Sequence, residues 1–254
     1  MNHRIDAGLM IVGRGEPVRH ACVLIAEDRI AYAGPAAGAP SVDAAHTHKT
    51  KVVMPGMWDC HVHLMGLKDV SLSSMLGLRL PLAAARCTAD LSAALDAGFT
   101  SVREVGGLGA QMARAVDEGT LRAPRIYAAG AILSQTGGHG DVHGFPLSCV
   151  TDFTERGGYL HLCDGVPECL KAVRTQLRLG ARLIKICASG GVLSEVDHPV
   201  HQQFSDEELA AIVGEAARAE RIVAAHCHGK PGIMAALRAG ARTIEHGTYL
   251  DEEA

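Results

Sequence analysis

The sequence predicts an α/β fold, and three observations carry that prediction. After Lys51, six short runs rich in Val, Ile, Leu and Thr recur along the chain. Stretches with apolar residues at helical spacing lie between most of them. Three of those stretches end alike, at Ala97-Gly98, Leu179-Gly180 and Ala239-Gly240, a few residues before the next run. Glycine there supplies the left-handed cap that turns a helix back toward a sheet. Repeated β-α units of this size build a parallel sheet, either open or closed into a barrel.

The elements follow in order. The first fifty residues read as a small β-rich segment: Ala21–Ala26 is an apolar run, Glu27-Asp28 a turn, and Ile30–Ala33 a second run, followed by Gly34, Pro35, Gly38 and Pro40. The strand-and-helix pattern fills residues 51–254. Its candidate strands are Val52–Met54 leading to His61, then Thr100–Glu104, Arg125–Ala129, Leu183–Cys187, Ile222–His226 and Thr243–His246. Their apolar character suits strands buried on both faces. Ser205-Asp-Glu-Glu208 has the capping-box form, followed by Leu209, Ile212, Val213 and Ala216 on one stripe. Lys230-Pro231 puts proline at a helix start. The stretch Ser134–Gly165, rich in glycine and containing His139, His143 and His161, reads as a long functional loop.

Composition removes several function classes. The chain has 254 residues, 48% of them hydrophobic and 20% charged, which excludes a disordered chain. A net charge of −4 argues against a nucleic-acid surface held by phosphate contacts. No apolar run reaches the eighteen or so residues of a membrane helix. The N-terminal MNHRIDAGLMIVG lacks the layout of a secretory signal, so a cytoplasmic location is expected. Eight cysteines form no C-x-x-C pair and read as reduced thiols, mostly buried.

Histidine is the unusual residue, with fourteen copies. His61-Val-His63 ends an apolar run, and alternate residues of a strand face one side, so both imidazoles can address one point. His46-Thr-His48 has the same spacing in what reads as a polar connection, where solvated histidines are expected. His226-Cys-His228 ends the fifth run and His246 the sixth. Lys185 sits inside Leu-Ile-Lys-Ile-Cys, costly on a buried strand unless it reaches a carboxylate or is modified or linked to a metal. His61, His63, Lys185, His226 and His246 all fall at or near strand ends, where a barrel gathers its active site.

These segments resemble the amidohydrolase superfamily, in the branch of Xaa-Pro dipeptidases and ochratoxinase. The motifs are VMPGMWDCHVHL (53–64), TSVREVGG (100–107), SQTGGHGD (134–141), LIKICASGGVLS (183–194), AAHCHG (224–229) and IEHGTYLD (244–251). The resemblance implies a TIM-type (β/α)8 barrel with two divalent metal ions, usually zinc, at its C-terminal mouth. It assigns His61 and His63 to the buried metal, Lys185 as a CO2-carboxylated ligand bridging both ions, and His226 and His246 to the second metal. A metal-bridging hydroxide would attack a polarised carbonyl, and the amine would leave after protonation. In the family an aspartate at the end of strand eight serves that last step. The sequence ends at Ala254 after a sixth strand, and Asp251 is not its counterpart. The implied fold is therefore an incomplete barrel (residues 51–254, lacking strands 7 and 8) with part of a small N-terminal β-sandwich domain (residues 1–50). Unpaired parallel edges and the missing aspartate make a weakly active or inactive chain the expectation.

Other residues carry two readings each. His139 and Asp141 line the substrate pocket or merely belong to a Gly-rich loop. His228 turns from the metal of His226 to bind substrate, or fills a wall. Tyr249 contacts substrate or stands at the rim. His198 and His201 read as solvated. Glu104 reads as a salt-bridge partner of Arg103 or another neighbour. Cys60 and Cys187 adjoin ligands and shape the pocket, without a partnered base for nucleophilic catalysis. The expected function is hydrolysis of an amide bond in a dipeptide or N-acyl amino acid with a free carboxylate. Two alternatives are a cyclic amidohydrolase resembling imidazolonepropionase and a non-catalytic metal-binding fragment. Small-molecule or dipeptide substrates are the expected partners, with neither nucleic acid nor membrane, and a homo-oligomer stays open.

Overall fold

A computed structural model describes residues 2–41, 43–69, 71 and 73–254. The chain divides into two compact units, one ending at Met57 and one comprising Trp58–Ala254. The border expected at residues 50–51 falls inside a strand.

In the first unit, β1 (Asn2–Met10), β2 (Val18–Ala26), β3 (Arg29–Pro35) and β4 (His46–Val53) form one sheet in the order β3-β2-β1-β4. β1 runs antiparallel to β2 and parallel to β4. Met10, Ala21 and Val23 form its small core, with Ile5, Val18, Ile25 and Val53 packed on them. The two apolar runs expected here are β2 and β3. His46-Thr-His48 is not a connection but opens β4, where His46 pairs with His3 and His48 with Ile5. Both stay exposed, because β4 is an edge strand whose side chains are largely in solvent.

The second unit opens on β5 (Met57–Val62). The single run expected from Val52 to His61 is thus two strands, broken at Met54-Pro55-Gly56 because proline cannot donate to a ladder. Then come α1 (Ser73–Gly77), α2 (Leu80–Asp96), β6 (Phe99–Glu104), α3 (Gly109–Asp117), β7 (Arg125–Ala128), β8 (Ile132–Ser134), α4 (Leu147–Glu155) and β9 (Leu160–Leu162). α5 (Gly165–Arg178), β10 (Leu183–Cys187), α6 (Asp206–Arg218), β11 (Ile222–Cys227), α7 (Lys230–Ala239) and β12 (Thr243–His246) complete it. The strands lie in two sheets, β5-β6-β7 and β12-β11-β10-β8-β9. The registered pairs β6/β7, β8/β9, β8/β10, β10/β11 and β11/β12 are parallel. This is an α/β fold with parallel sheets, as the repeated units predicted.

Strand alternation decides what faces where. Ile184 and Ile186 of β10 pack with Ile212 of α6 and Ala172 and Val173 of α5 in the larger core. On the other side, Leu183 and Ala224 meet Val105 and Ala129 in a compact cluster that is almost fully buried. Lys185 and His226 lie two residues further along the faces of Leu183 and Ala224, toward the C-terminal ends. The stretch 134–165 is more ordered than a loop, since it holds α4 and β9. Between β7 and β8 the chain breaks at Gly130, whose φ of +77° needs glycine. The buried Gln176 side chain from α5 accepts the Ala131 N–H there at 2.9 Å, replacing a lost ladder bond.

The capping box forms as read: Ser205 Oγ accepts from Glu208 N at 3.2 Å, and Glu208 Oε2 accepts from Ser205 N at 2.6 Å. Gly240 ends α7 at φ +95°. Ser205→Ala is expected to lower stability by about 1 kcal/mol, read as the shift of a urea midpoint; an unchanged midpoint would show that the cap contributes nothing.

Candidate metal centre

The C-terminal ends of β5, β10, β11 and β12 bring the histidine motifs to one place. The rings of His226 and His246 lie 4.7 Å apart, His228 and His246 4.9 Å, His226 and His228 4.7 Å, and His61 and His246 5.0 Å. One ligand nitrogen from each of His226, His228 and His246 lies within 4.8 Å of the others, so the three can hold a metal ion. His228 follows the last residue of β11 and does not turn away from His226. His246 can face the others although Glu245 beside it points inward, because its backbone takes φ +69°, a left-handed turn that histidine adopts more readily than most residues.

A cavity of about 370 Å³ opens here, lined by His63, His139, Lys185, His226, His228 and His246. Met65, Ile132, Leu160, Val192 and Leu193 form an apolar wall. Lys185 is 2% exposed, and among the described residues it has no hydrogen bond or ion pair. Burial pulls its ammonium below the ordinary lysine value. The reading in which it reaches a carboxylate therefore fails.

Burial acts on the imidazoles in the same direction. It lowers His63 to about 4 against the bond to Gly106, and lowers His246 and His139 to about 4. His226 and His228 are also lowered by burial. These rings are neutral at pH 7, and each keeps a lone pair for a cation. In four rings of the site one nitrogen is already engaged: His63 Nδ1 with the Gly106 carbonyl at 2.9 Å, His61 Nδ1 with Glu245 at 2.7 Å, His226 Nε2 with the Gly190 carbonyl at 3.1 Å, and His228 Nδ1 with Thr248 Oγ1 at 2.7 Å. The opposite nitrogens remain for a ligand. A cluster of neutral nitrogen donors beside a buried amine fits a borderline cation such as Zn²⁺.

His139 stacks on His226 at 4.2 Å and bonds Ser194 Oγ through Nδ1 at 2.6 Å. Asp141 lines the cavity and accepts the Gly137 N–H at 2.9 Å. Tyr249 does not line it; its side chain is exposed, while its backbone N–H donates to the His228 carbonyl at 3.1 Å. His198 and His201 lie in solvent-facing positions. Cys60 is exposed, whereas Cys187 lines the cavity with its thiol pushed up to about 12 by burial, which removes it as a nucleophile.

Two residues escaped the sequence reading. Glu245 accepts from His61, and Arg103 Nη2 lies 2.8 Å from each of its oxygens. Arg103 is thus committed to Glu245, and Glu104 makes no salt bridge: it is fully buried and neither carboxyl oxygen has a hydrogen-bond partner. Alternation in Thr243-Ile-Glu-His246 puts Glu245 on the inner face, which is the signal that could have found it.

Residues 52–253 match the model of the amidohydrolase family. This chain belongs to that family. Among amidohydrolases, ochratoxinase of Aspergillus niger is 45% identical over 263 residues, covering 98% of this chain and 55% of the relative. The chain therefore spans about half the length of the curated relatives it matches. The crystal structure of A. niger ochratoxinase superimposes with a TM-score of 0.94 at 43% identity, over 99% of this chain and 61% of the other. A prolidase crystallised with N-methylphosphonate-L-proline gives a TM-score of 0.91 at 37% identity, over 100% and 62% of the two chains. A Xaa-Pro dipeptidase with bound methionine gives 0.87 at 31%, over 100% and 63%.

Proposed function

We propose that this amidohydrolase chain is the metal-binding part of an enzyme that hydrolyses amide bonds in dipeptides or N-acyl amino acids. One observation carries the reading: His226 and His246, within metal-binding reach of each other, share a cavity with His63 and a buried lysine that has no hydrogen bond or ion pair among the described residues. In this proposal the unit Trp58–Ala254 is part of a (β/α)8 barrel, and the sheet that ends with β4 is part of a small β domain. The family match over 52–253 and the 55% coverage of the relative support that division.

His61, His63, His226, His246 and Lys185, the last as its carbamate, would hold two divalent cations, zinc by donor type. Such cations, when bound, supply a nucleophilic hydroxide at neutral pH and polarise the scissile carbonyl. The chain's own residues do the rest. Burial keeps His63, His226 and His246 unprotonated, so they donate lone pairs rather than repel a cation. The apolar wall of Met65, Ile132, Leu160, Val192 and Leu193 receives an apolar acyl or side-chain group and excludes water from it. His139 and His228 supply N–H donors for the free carboxylate of the substrate. Tyr249, exposed here, contacts only substrate groups that project beyond the rim.

His63→Ala is expected to reduce bound zinc severalfold in this chain and to abolish amide hydrolysis in the enzyme of which it is part, whereas His46→Ala changes neither. Elemental analysis and an assay with N-acyl amino acids and Xaa-Pro dipeptides read both. Ring opening of a cyclic amide with dipeptides left intact would replace this reading with the cyclic-amide one. Equal zinc content in both variants would remove the centre from these residues.

A further inference from the structure

We propose that Glu245, clamped by Arg103, is the positioning residue for His61, fixing its imidazole with the proton on Nδ1 and the Nε2 lone pair toward the cation site. The inference rests on the metal-centre reading. Its own support is a closed set of hydrogen bonds among three strands.

Glu245 is 5% exposed and lies on β12. Its Oε2 is 2.7 Å from His61 Nδ1, and its Oε1 accepts from Thr243 Oγ1 at 2.8 Å. Arg103, from β6, points Nη2 at both carboxylate oxygens at 2.8 Å. Its Nη1 donates to Thr243 Oγ1 at 2.9 Å, and its Nε donates to the carbonyl of Cys60 at 2.6 Å. One guanidinium therefore grips the backbone next to His61 and the side chain that holds the His61 ring. Only a planar fork of donors can do both, so lysine is not equivalent.

The proton positions follow from donor counting. Arg103 only donates. Thr243 accepts from Arg103, so its one hydroxyl proton goes to Glu245. A carboxylate only accepts, so His61 must bring the proton on Nδ1. Arg103, 2.8 Å from both carboxylate oxygens, pairs its fixed positive charge with Glu245. His61 needs such a clamp more than its neighbours do, since 30% of its side chain is exposed and the ring has room to turn. Carboxylate partners on ligating histidines set both tautomer and orientation.

The same arithmetic picks the test. Glu245→Gln keeps the shape but replaces one acceptor oxygen with an NH2, so His61, Thr243 and Arg103 can no longer all donate to it. Arg103→Lys keeps the charge and loses the fork. Long-range ¹H–¹⁵N spectra of the metal-free chain should show His61 protonated on Nδ1 in the wild type and a mixed or Nε2-protonated ring in both variants. Zinc titration against a chelator should show binding about 10- to 100-fold weaker in both, with the His63 tautomer unmoved. Arg103→Lys decides the matter if Glu245→Gln does not fold. A wild type that takes up no zinc overturns the metal-centre reading, and with it the presentation of Nε2 to a cation. A zinc-binding wild type with His61 protonated on Nε2, or variants with unchanged tautomer and affinity, overturns the positioning role alone.

Discussion

Lys185→Ala is expected to weaken zinc binding by more than the roughly 10- to 100-fold that changes behind the ligands cost, and to end amide hydrolysis. The residue is 2% exposed, between Ile184 and Ile186 on a strand covered by helices. Among the described residues no carboxylate forms an ion pair with it, and Glu245, whose charge acts on it, is already bound by Arg103 and His61. A buried amine in that position is held toward its neutral form, and a neutral amine is the species that adds to CO2. The nitrogen lone pair forms the N–C bond, one proton leaves for solvent, and an anionic two-oxygen ligand results. In ¹³C-bicarbonate, the wild type should show a carbamate resonance that Lys185→Ala lacks. Lys185→Met separates ligand loss from misfolding. It keeps the length, removes a buried ionisable group, and should raise the stability of the metal-free chain while binding zinc as poorly as the alanine variant. Full zinc occupancy on an unmodified Lys185 would sink the carbamate.

The sequence made some of this legible and hid the rest for physical reasons. β10 and β11 were readable because both their faces are covered, which favours near-continuous apolar runs. β1 and β4 were not, because they carry His3, Arg4 and Asp6, and His46, His48, Lys49 and Lys51, on partly or wholly exposed faces. β8 was missed because the Gln176 side chain, distant in sequence, restores the bond lost at the break before it. In the site, each histidine motif ended a strand run, and strand geometry placed every motif but His246 with its ring toward the others. The partners of those rings were less visible. Arg103 and Glu245 are 142 residues apart, and nothing local tells Arg103 to ignore its neighbour Glu104. The direction of His246 depends on a single left-handed residue, and the exposure of Tyr249 on the chain turning away after Gly247.

Glu104, left without Arg103, should govern how stability changes with pH. It is fully buried, and a Cβ at Gly107 would lie 2.5 Å from one of its oxygens and a Cβ at Gly109 2.6 Å from the other, so the chain closes on the carboxyl with glycines alone. Backbone amides of Ala129, Gly130, Gly106 and Gly109 face its carboxyl and oppose the effect of burial, though none reaches a carboxyl oxygen with full hydrogen-bond geometry. Burial wins and pushes the carboxyl up to about 8. The folded chain therefore binds a proton that the unfolded chain has lost above its ordinary value of 4.5. Stability from this group is full below that value and drains away as pH rises to about 8. The buried imidazoles act the other way: held at about 4 in His63 and His246, they gain stability as pH rises to 6.5. Comparison with Glu104→Gln isolates the carboxyl, because the imidazole contribution is common to both chains. The wild type minus Glu104→Gln difference in unfolding free energy should fall by about 1.4 kcal/mol per pH unit from pH 5 to 8, roughly 4 kcal/mol in all. Urea titrations at half-unit steps measure it, whatever the offset between the two chains at pH 5. Parallel curves would mean that Glu104 is already ionised in the folded chain and that the surrounding amides, not burial, control it.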